Sequence, residues 1–214
     1  MELERRNFTS KEPHVAREPQ VADSWHKLSD EQKQHQMETC GGFIDACDRN
    51  PQFLETIVTG DELWCYQYDP ETKRQSMEWC SASSPPKKCR LTKSRTKTLL
   101  IAFFDSKGLI HHEFVPAGTT VNAESYEGVF KRLLQRIRRV RTQLYQIGQW
   151  KLLHDNARPH IAIRVRQFLA TRKVTVLERP PYSPDLALAV FLFPRLKGVL
   201  KGIRFSGIAQ TSNV

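Results

Sequence analysis

Trp150-Lys151-Leu152-Leu153-His154-Asp155-Asn156-Ala157-Arg158-Pro159-His160 is the stretch on which the reading of this chain turns. The apolar run Trp150 to Leu153 is short and bounded by polar, turn-forming residues, the pattern of a buried strand. It ends in His154-Asp155-Asn156. Beyond it, Ile161 to Thr171 carries Ala162, Val165, Phe168 and Leu169 at helical spacing, and Val174 to Leu177 reads as another short strand. A strand, a helix and a strand in succession predict a sheet covered by helices.

Working outward, Pro180-Pro181-Tyr182-Ser183-Pro184 is a stiff loop before helix-prone Leu186 to Leu200. On the other side, Asn122 caps a long helix predicted from Ala123 to about Gln146, with Tyr126, Val129, Phe130, Leu133, Leu134, Ile137, Val140 and Leu144 on its apolar face. Before that lie three strand patterns: Thr56 through Gly60-Asp61 to Tyr66, Lys97 to Phe104, and Leu109 to Val115. The last two are joined by the turn Asp105-Ser106-Lys107-Gly108. Further upstream, Ser29 and Gln32 form a capping-box pattern for a helix running to Cys40, where Gly41-Gly42 interrupts it. Strands that first meet antiparallel and later alternate with helices predict an α/β fold: a mixed five-stranded sheet with helices on both faces. This is the element order of the ribonuclease H-like fold.

The chain has 214 residues, 39% hydrophobic and 26% charged, enough for one domain with a sizeable core. No window is apolar enough for a membrane span, and polar Met1 to Gln20 is not a signal peptide. The five cysteines, Cys40, Cys47, Cys65, Cys80 and Cys89, form no CxxC pair and read as reduced thiols. A net charge of +10 favours a polyanionic partner, most simply nucleic acid, although a merely soluble basic protein has the same balance. The charge is concentrated in two places. Lys87, Lys88, Arg90, Lys93, Arg95 and Lys97 crowd a loop opened by Pro85-Pro86, where DNA contact is favoured because like charges repel without an anionic partner. Lys131, Arg132, Arg136, Arg138, Arg139 and Arg141 form the polar side of the long helix, either a second phosphate-binding face or a solvated one. Trp64, Trp79 and Trp150 are expected in or beside the core.

Asp61 lies inside an apolar strand, where a carboxylate is costly unless paired, solvated or metal-bound. Asp155 ends another strand. If those strands are neighbours, both carboxylates reach one hard divalent ion, magnesium or manganese. On spacing alone, an aspartate that merely ends a strand or caps a turn is the plainer reading. Arg158 and His160 follow Asp155 closely enough to touch a DNA phosphate, or else serve the turn.

Val58-Thr59-Gly60-Asp61-Glu62, Leu152 to His160, and Pro181-Tyr182-Ser183-Pro184-Asp185-Leu186-Ala187 closely resemble, in order, the three signature blocks of mariner-type DNA transposases. Glu78-Trp79-Cys80, Leu99 to Asp105 and Glu113 to Gly118 add to the resemblance, which spans roughly Leu28 to Gly207. It implies a ribonuclease H-like catalytic domain over residues 56–207. That domain would cut and join DNA with Mg2+ or Mn2+ held by three aspartates, and would act in the nucleus. The first aspartate resembles Asp61 and the second Asp155. The third falls on Val190 by the family's spacing, or on Ala189 if a gap lies earlier, and neither residue binds metal. Asp185 is an acid the family carries in addition to that ligand, so it is no substitute. The resemblance therefore implies a copy that does not cut. What remains is a transposon-derived protein that grips DNA, forms a homodimer or pairs with intact transposase, or a decayed product. Trp25-His26-Lys27-Leu28 resembles a shortened linker motif that pairs subunits, so residues 25–55 are expected to be a helical linker remnant. Residues 1–24 read as a disordered tail without the family's helix-turn-helix modules, and residues 208–214 as an unrelated tail, as in a truncated copy.

Overall fold

Strand β1 (Ile57–Tyr66) is the middle of the sheet. In the computed structural model, which describes residues 27–72, 74–77, 92–116, 118–148, 150–187 and 189–205, five strands lie in the order β3-β2-β1-β4-β5. Strands β2 (Lys97–Asp105) and β3 (Gly108–Val115) extend the sheet antiparallel on one side of β1. The short β4 (Lys151–Leu153) and β5 (Thr175–Leu177) extend it parallel on the other. The switch follows from connectivity: β2 and β3 share a tight turn, whereas a parallel pair requires a crossover helix.

Alternation along β1 assigns its residues to opposite faces. Val58 joins Ile101, Phe103, Ile110 and Leu152 under helix α2 (Ala123–Val140) and α5 (Ile163–Thr171). Tyr126, Phe130, Leu133 and Ile137 of α2 are fully buried there. On the reverse face, Leu63 and Cys65 pack with Leu100, Ala102 and the α6 (Ala189–Leu200) residues Ala189, Phe193 and Leu200. Ile57 and Leu153 pack on that face with Phe53, against Phe43, Ala46 and Cys47 of α1 (Asp30–Arg49). Helices thus cover both faces of a mixed five-stranded sheet.

The expected capping box is present, with the Ser29 hydroxyl accepting from the Gln32 amide at 3.2 Å and Gln32 Oε1 from the Ser29 amide at 3.0 Å. The expected interruption at Gly41-Gly42 is absent: α1 is continuous. Each glycine costs a helix roughly 1 kcal/mol, and docking of Phe43, Ala46 and Cys47 offsets it. The predicted helix from Ala123 to Gln146 is instead divided at Arg141 into α2 and α3 (Thr142–Ile147). Arg141 leaves helical geometry (φ −132°, ψ 54°) and donates to both Asp105 carboxylate oxygens, at 2.7 and 3.1 Å. The predicted helix starting at Ile161 is preceded by a separate turn, α4 (Arg158–Ile161), because Ala162 adopts an extended ψ of 142°.

The basic face of α2 is mostly tied up within the fold. Lys131 pairs with Glu127, Arg136 donates to the Ile110 carbonyl, and Arg132 forms a forked pair with Glu113 at 2.7 and 2.8 Å. Burial raises the Glu113 pKa, but the Arg132 guanidinium and the His111 ring outweigh it and bring it down to about 2. A depressed carboxylate stabilises the fold above its unfolded pKa of 4.5 and stops doing so as pH falls through about 2. Arg132→Met is therefore expected to lose about 1–2 kcal/mol at neutral pH, discounted because the guanidinium is half exposed, and to flatten the acid limb of stability. Urea unfolding at neutral pH and near pH 2 checks this, and an unchanged difference between the two would refute it.

Candidate active site

The sheet places the two predicted aspartates together. The β1–β4 ladder pairs Ile57 with Lys151, Val58 with Leu152 and Thr59 with Leu153. Two residues past that last rung, on the same side of each strand, come Asp61 and Asp155. The Thr59 hydroxyl donates to the Leu153 carbonyl at 3.0 Å, fixing the register just below them. Asp61 also faces a cleft of about 570 Å³ between β1 and α6, lined by Thr72, Gln75, Ala189, Phe193, Lys197 and Lys201.

The carboxylates sit in different fields. Burial raises the Asp61 pKa, the Glu62 amide on Asp61 Oδ1 (2.8 Å) opposes it, and the charges of Glu62 and Asp155 raise it further. Asp155 is held down to about 2, first by its hydrogen bond from His160, against burial and with help from the Ala157 amide. Arg179 lowers both from the neighbouring loop. Asp61 is thus an acid whose charge is disfavoured first by burial and then by its negative neighbours, whereas Asp155 is held ionised. Two hard carboxylates on adjacent strands, coupled in this way, fit a divalent cation such as Mg2+ or Mn2+, whose charge relieves their repulsion.

Behind Asp155 lies a buried layer. His160, 2% exposed, bridges Asp155 Oδ1 (Nδ1, 2.6 Å) and Glu62 Oε1 (Nε2, 3.2 Å), and its ring stacks on Tyr126 at 4.0 Å. The Tyr126 hydroxyl donates to the same Glu62 oxygen at 3.1 Å. Burial opposes a charge on His160, yet the two carboxylates prevail and raise its pKa to about 9. The interior position corrects the expectation that His160 touches a DNA phosphate: its ring serves Asp155. Arg158, exposed at the start of α4, keeps that possibility.

Sequence reasoning gave no role to Glu62, Tyr126 or Arg179. Glu62 follows Asp61 directly, so alternation turns it to the opposite face, toward Tyr126 on α2. That was the available signal.

Of the basic loop, Lys87, Lys88 and Arg90 lie outside the described residues, as do Trp79, Cys80 and Cys89. Lys93 sits over the Tyr66 ring at 3.7 Å and 3.7 Å from Asp69, Arg95 is exposed, and Lys97 sits over the Trp64 ring at 4.0 Å. Trp150 is buried as expected, but Trp64 is 46% exposed, with no helix among the described residues over the end of β1 on its face. Val190, at the expected third metal position, lies in the first turn of α6, beside Ala189, which lines the Asp61 cleft.

A family model described as transposase (partial DDE domain) matches residues 69–147. The chain is 34% identical over 184 residues to the mariner Mos1 transposase of Drosophila mauritiana, covering 84% of this chain and 52% of that protein. The crystal structure of the catalytic domain of Mos1 mariner transposase superposes with a TM-score of 0.70 at 30% identity, covering 88% of this chain and 80% of that one. The chain belongs to the mariner-type transposases. Its fold is accordingly ribonuclease H-like, the catalytic-domain part of that family. The Mos1 paired-end complex with Mn gives a TM-score of 0.76 at 32% identity, over 88% of this mariner-type chain and 54% of that one. The human histone-lysine N-methyltransferase SETMAR is 33% identical over 195 residues, 89% of this chain and 28% of that protein. The chain thus spans about half the length of Mos1 and under a third of SETMAR.

Proposed function

We propose that this chain grips the DNA backbone and binds a single divalent ion through Asp61 and Asp155, without cutting DNA. The observation that carries the proposal is the position of the two coupled carboxylates, Asp61 within β1 and Asp155 just past the end of the adjacent parallel β4, with α6 offering Ala189-Val190 where the family places its third acid. A bound Mg2+ or Mn2+ would supply positive charge to a phosphate oxygen, whereas stabilising both the attacking and the leaving oxygen takes a pair of ions. This chain's own residues do the rest. His160 and the Ala157 amide keep Asp155 ionised, the Glu62 amide orients Asp61, and Arg179 offsets their combined charge. The likeness to Mos1 transpososome structures supports DNA as the partner and pairing of two subunits on it. Action on chromosomal DNA would place the chain in the nucleus.

The grip is expected to come from exposed cations, Lys93, Arg95, Lys97 and Arg158 among them, with Lys87, Lys88 and Arg90 of the same basic run. Each phosphate contact steepens the salt dependence by about one unit of log affinity per log salt. Fluorescence anisotropy on a DNA duplex at two salt concentrations should show a steep fall. Arg95→Gln/Lys97→Gln should reduce the slope by about two. A flat salt response in the natural chain would overturn the proposal.

A further inference from the structure

The layer behind Asp155 contains a second set of ligands, different in kind from the carboxylate pair. His154, Asp155 and His160 each offer one ligand atom, and these atoms lie within 4.8 Å of one another. His154 is 6% exposed, and its Nδ1 is buried with no hydrogen-bond partner. A buried ring nitrogen left unsatisfied costs about 1–3 kcal/mol, a cost that a bound ion removes. Burial and the neighbouring His160 lower the His154 pKa to about 4, so its ring is neutral, the form that ligates metals.

The surroundings are those of a metal site. A ligating histidine almost always donates its other ring N–H to a carboxylate, which fixes its orientation. His160 Nε2 stands 3.2 Å from Glu62 Oε1, and Glu62 is itself held by the Tyr126 hydroxyl. His160 is thus oriented from behind, with Nδ1 directed at Asp155.

We propose that His154, Asp155 and His160 form a site for a borderline transition metal ion, Zn2+ in the first instance. Two imidazoles and one carboxylate select such an ion over Mg2+, which prefers oxygen alone. The ion takes the place of the His160 Nδ1 proton, which leaves to solvent. Metal–ligand bonds of about 2.0–2.2 Å set tetrahedral ligand atoms roughly 3.4 Å apart, so the 2.6 Å contact between Asp155 Oδ1 and His160 Nδ1 opens while the wider separations, all within 4.8 Å, close. The Asp155 carboxylate, 42% exposed, supplies that movement by rotating. A fourth position is left to water. Because Asp155 belongs to both sets, Zn2+ here and Mg2+ on Asp61 compete. The site exists whether or not the chain acts on DNA.

The test uses Co2+ as a spectroscopic stand-in and Zn2+ by competition calorimetry on the full chain. The natural chain should bind one Zn2+, and its Co2+ form should show the intense visible bands of a low-coordinate nitrogen and oxygen site. His154→Phe, which fills the same space, should weaken Zn2+ binding at least about tenfold, whereas Asp61→Asn should weaken Mn2+ far more than Zn2+. A weak octahedral Co2+ spectrum would overturn the assignment. So would a thiolate charge-transfer band, which would place the metal on cysteine, or an unaltered Zn2+ affinity in His154→Phe. Should His154→Phe fail to fold, the Co2+ spectrum of the natural chain still decides.

Discussion

Incubated with Mn2+ and DNA carrying mariner ends, the natural chain should leave the DNA intact. Two anionic anchors, Asp61 and Asp155, are enough to share one divalent ion. The first turn of α6, on which the third anchor is expected, offers Ala189 and Val190 instead. Ala189 is buried against Phe193 and lines the Asp61 cleft, so the start of α6 brings an apolar side chain to the cleft where an acid is needed. Losing the stabilisation of one reacting oxygen costs several kcal/mol. At 1.36 kcal/mol per factor of ten, roughly 4 kcal/mol is about a thousandfold in rate. Val190→Asp is the reversal expected to restore nicking, with Ala189→Asp as the alternative placement. Ala189→Asp should also destabilise the fold, since it puts a carboxylate among Phe193, Leu63 and Leu100. Nicking is read as conversion of supercoiled plasmid to open circle, with and without EDTA. Metal-dependent nicking by the natural chain at a rate comparable to the Asp variant would refute the expectation.

The parts of this molecule that were legible in the sequence are those set by local pattern. The β-branched run from Thr56 continuing to Tyr66, the apolar run before Asp155 and the α2 stripe each announced their element, and the element order was enough to place helices on both faces. The errors lie where a tertiary contact overrides local preference. The Gly41-Gly42 pair reads as a break, but the Phe43, Ala46 and Cys47 docking that holds α1 together is made with residues far along the chain. Arg141 continues a helical pattern until Asp105, 36 positions away, draws its guanidinium aside. The same division applies to the site. Asp61 stands out because a carboxylate inside an apolar strand is locally anomalous, and Asp155 because of the signature block it sits in. The His160 bridge is not legible, because a histidine five residues after an aspartate, in a turn, carries no sign that a glutamate from β1 will meet its other nitrogen.

That bridge carries the largest expected effect on stability. His160→Phe keeps a ring of similar size stacked on Tyr126 but removes both N–H donors. Glu62, whose side chain is 18% exposed, is then left with the Tyr126 hydroxyl alone, and Asp155 keeps the Ala157 amide but loses its closest partner. Breaking a buried pair by deleting one member usually costs 3–5 kcal/mol, since the remaining charge stays desolvated. Asp155 is 42% exposed and partly resolvated by water, which brings the expectation down to about 2–4 kcal/mol. For a domain of this size, that is a fall in Tm of about 5–12 °C. Tyr126→Phe is the control: it removes one hydrogen bond to the same glutamate, leaves the His160 bridge in place, and should cost only about 1 kcal/mol. The alternative is that His160 contributes mainly by filling space against Tyr126 and Phe130, in which case Phe would be neutral or stabilising. Urea unfolding separates the two, and a His160→Phe change within about 0.5 kcal/mol of zero would favour packing. A double-mutant cycle with Glu62→Gln goes further, because the bridge requires the two substitutions to be non-additive by at least about 1 kcal/mol. Packing alone would leave them additive, because Glu62 and a phenyl ring at position 160 share no hydrogen bond.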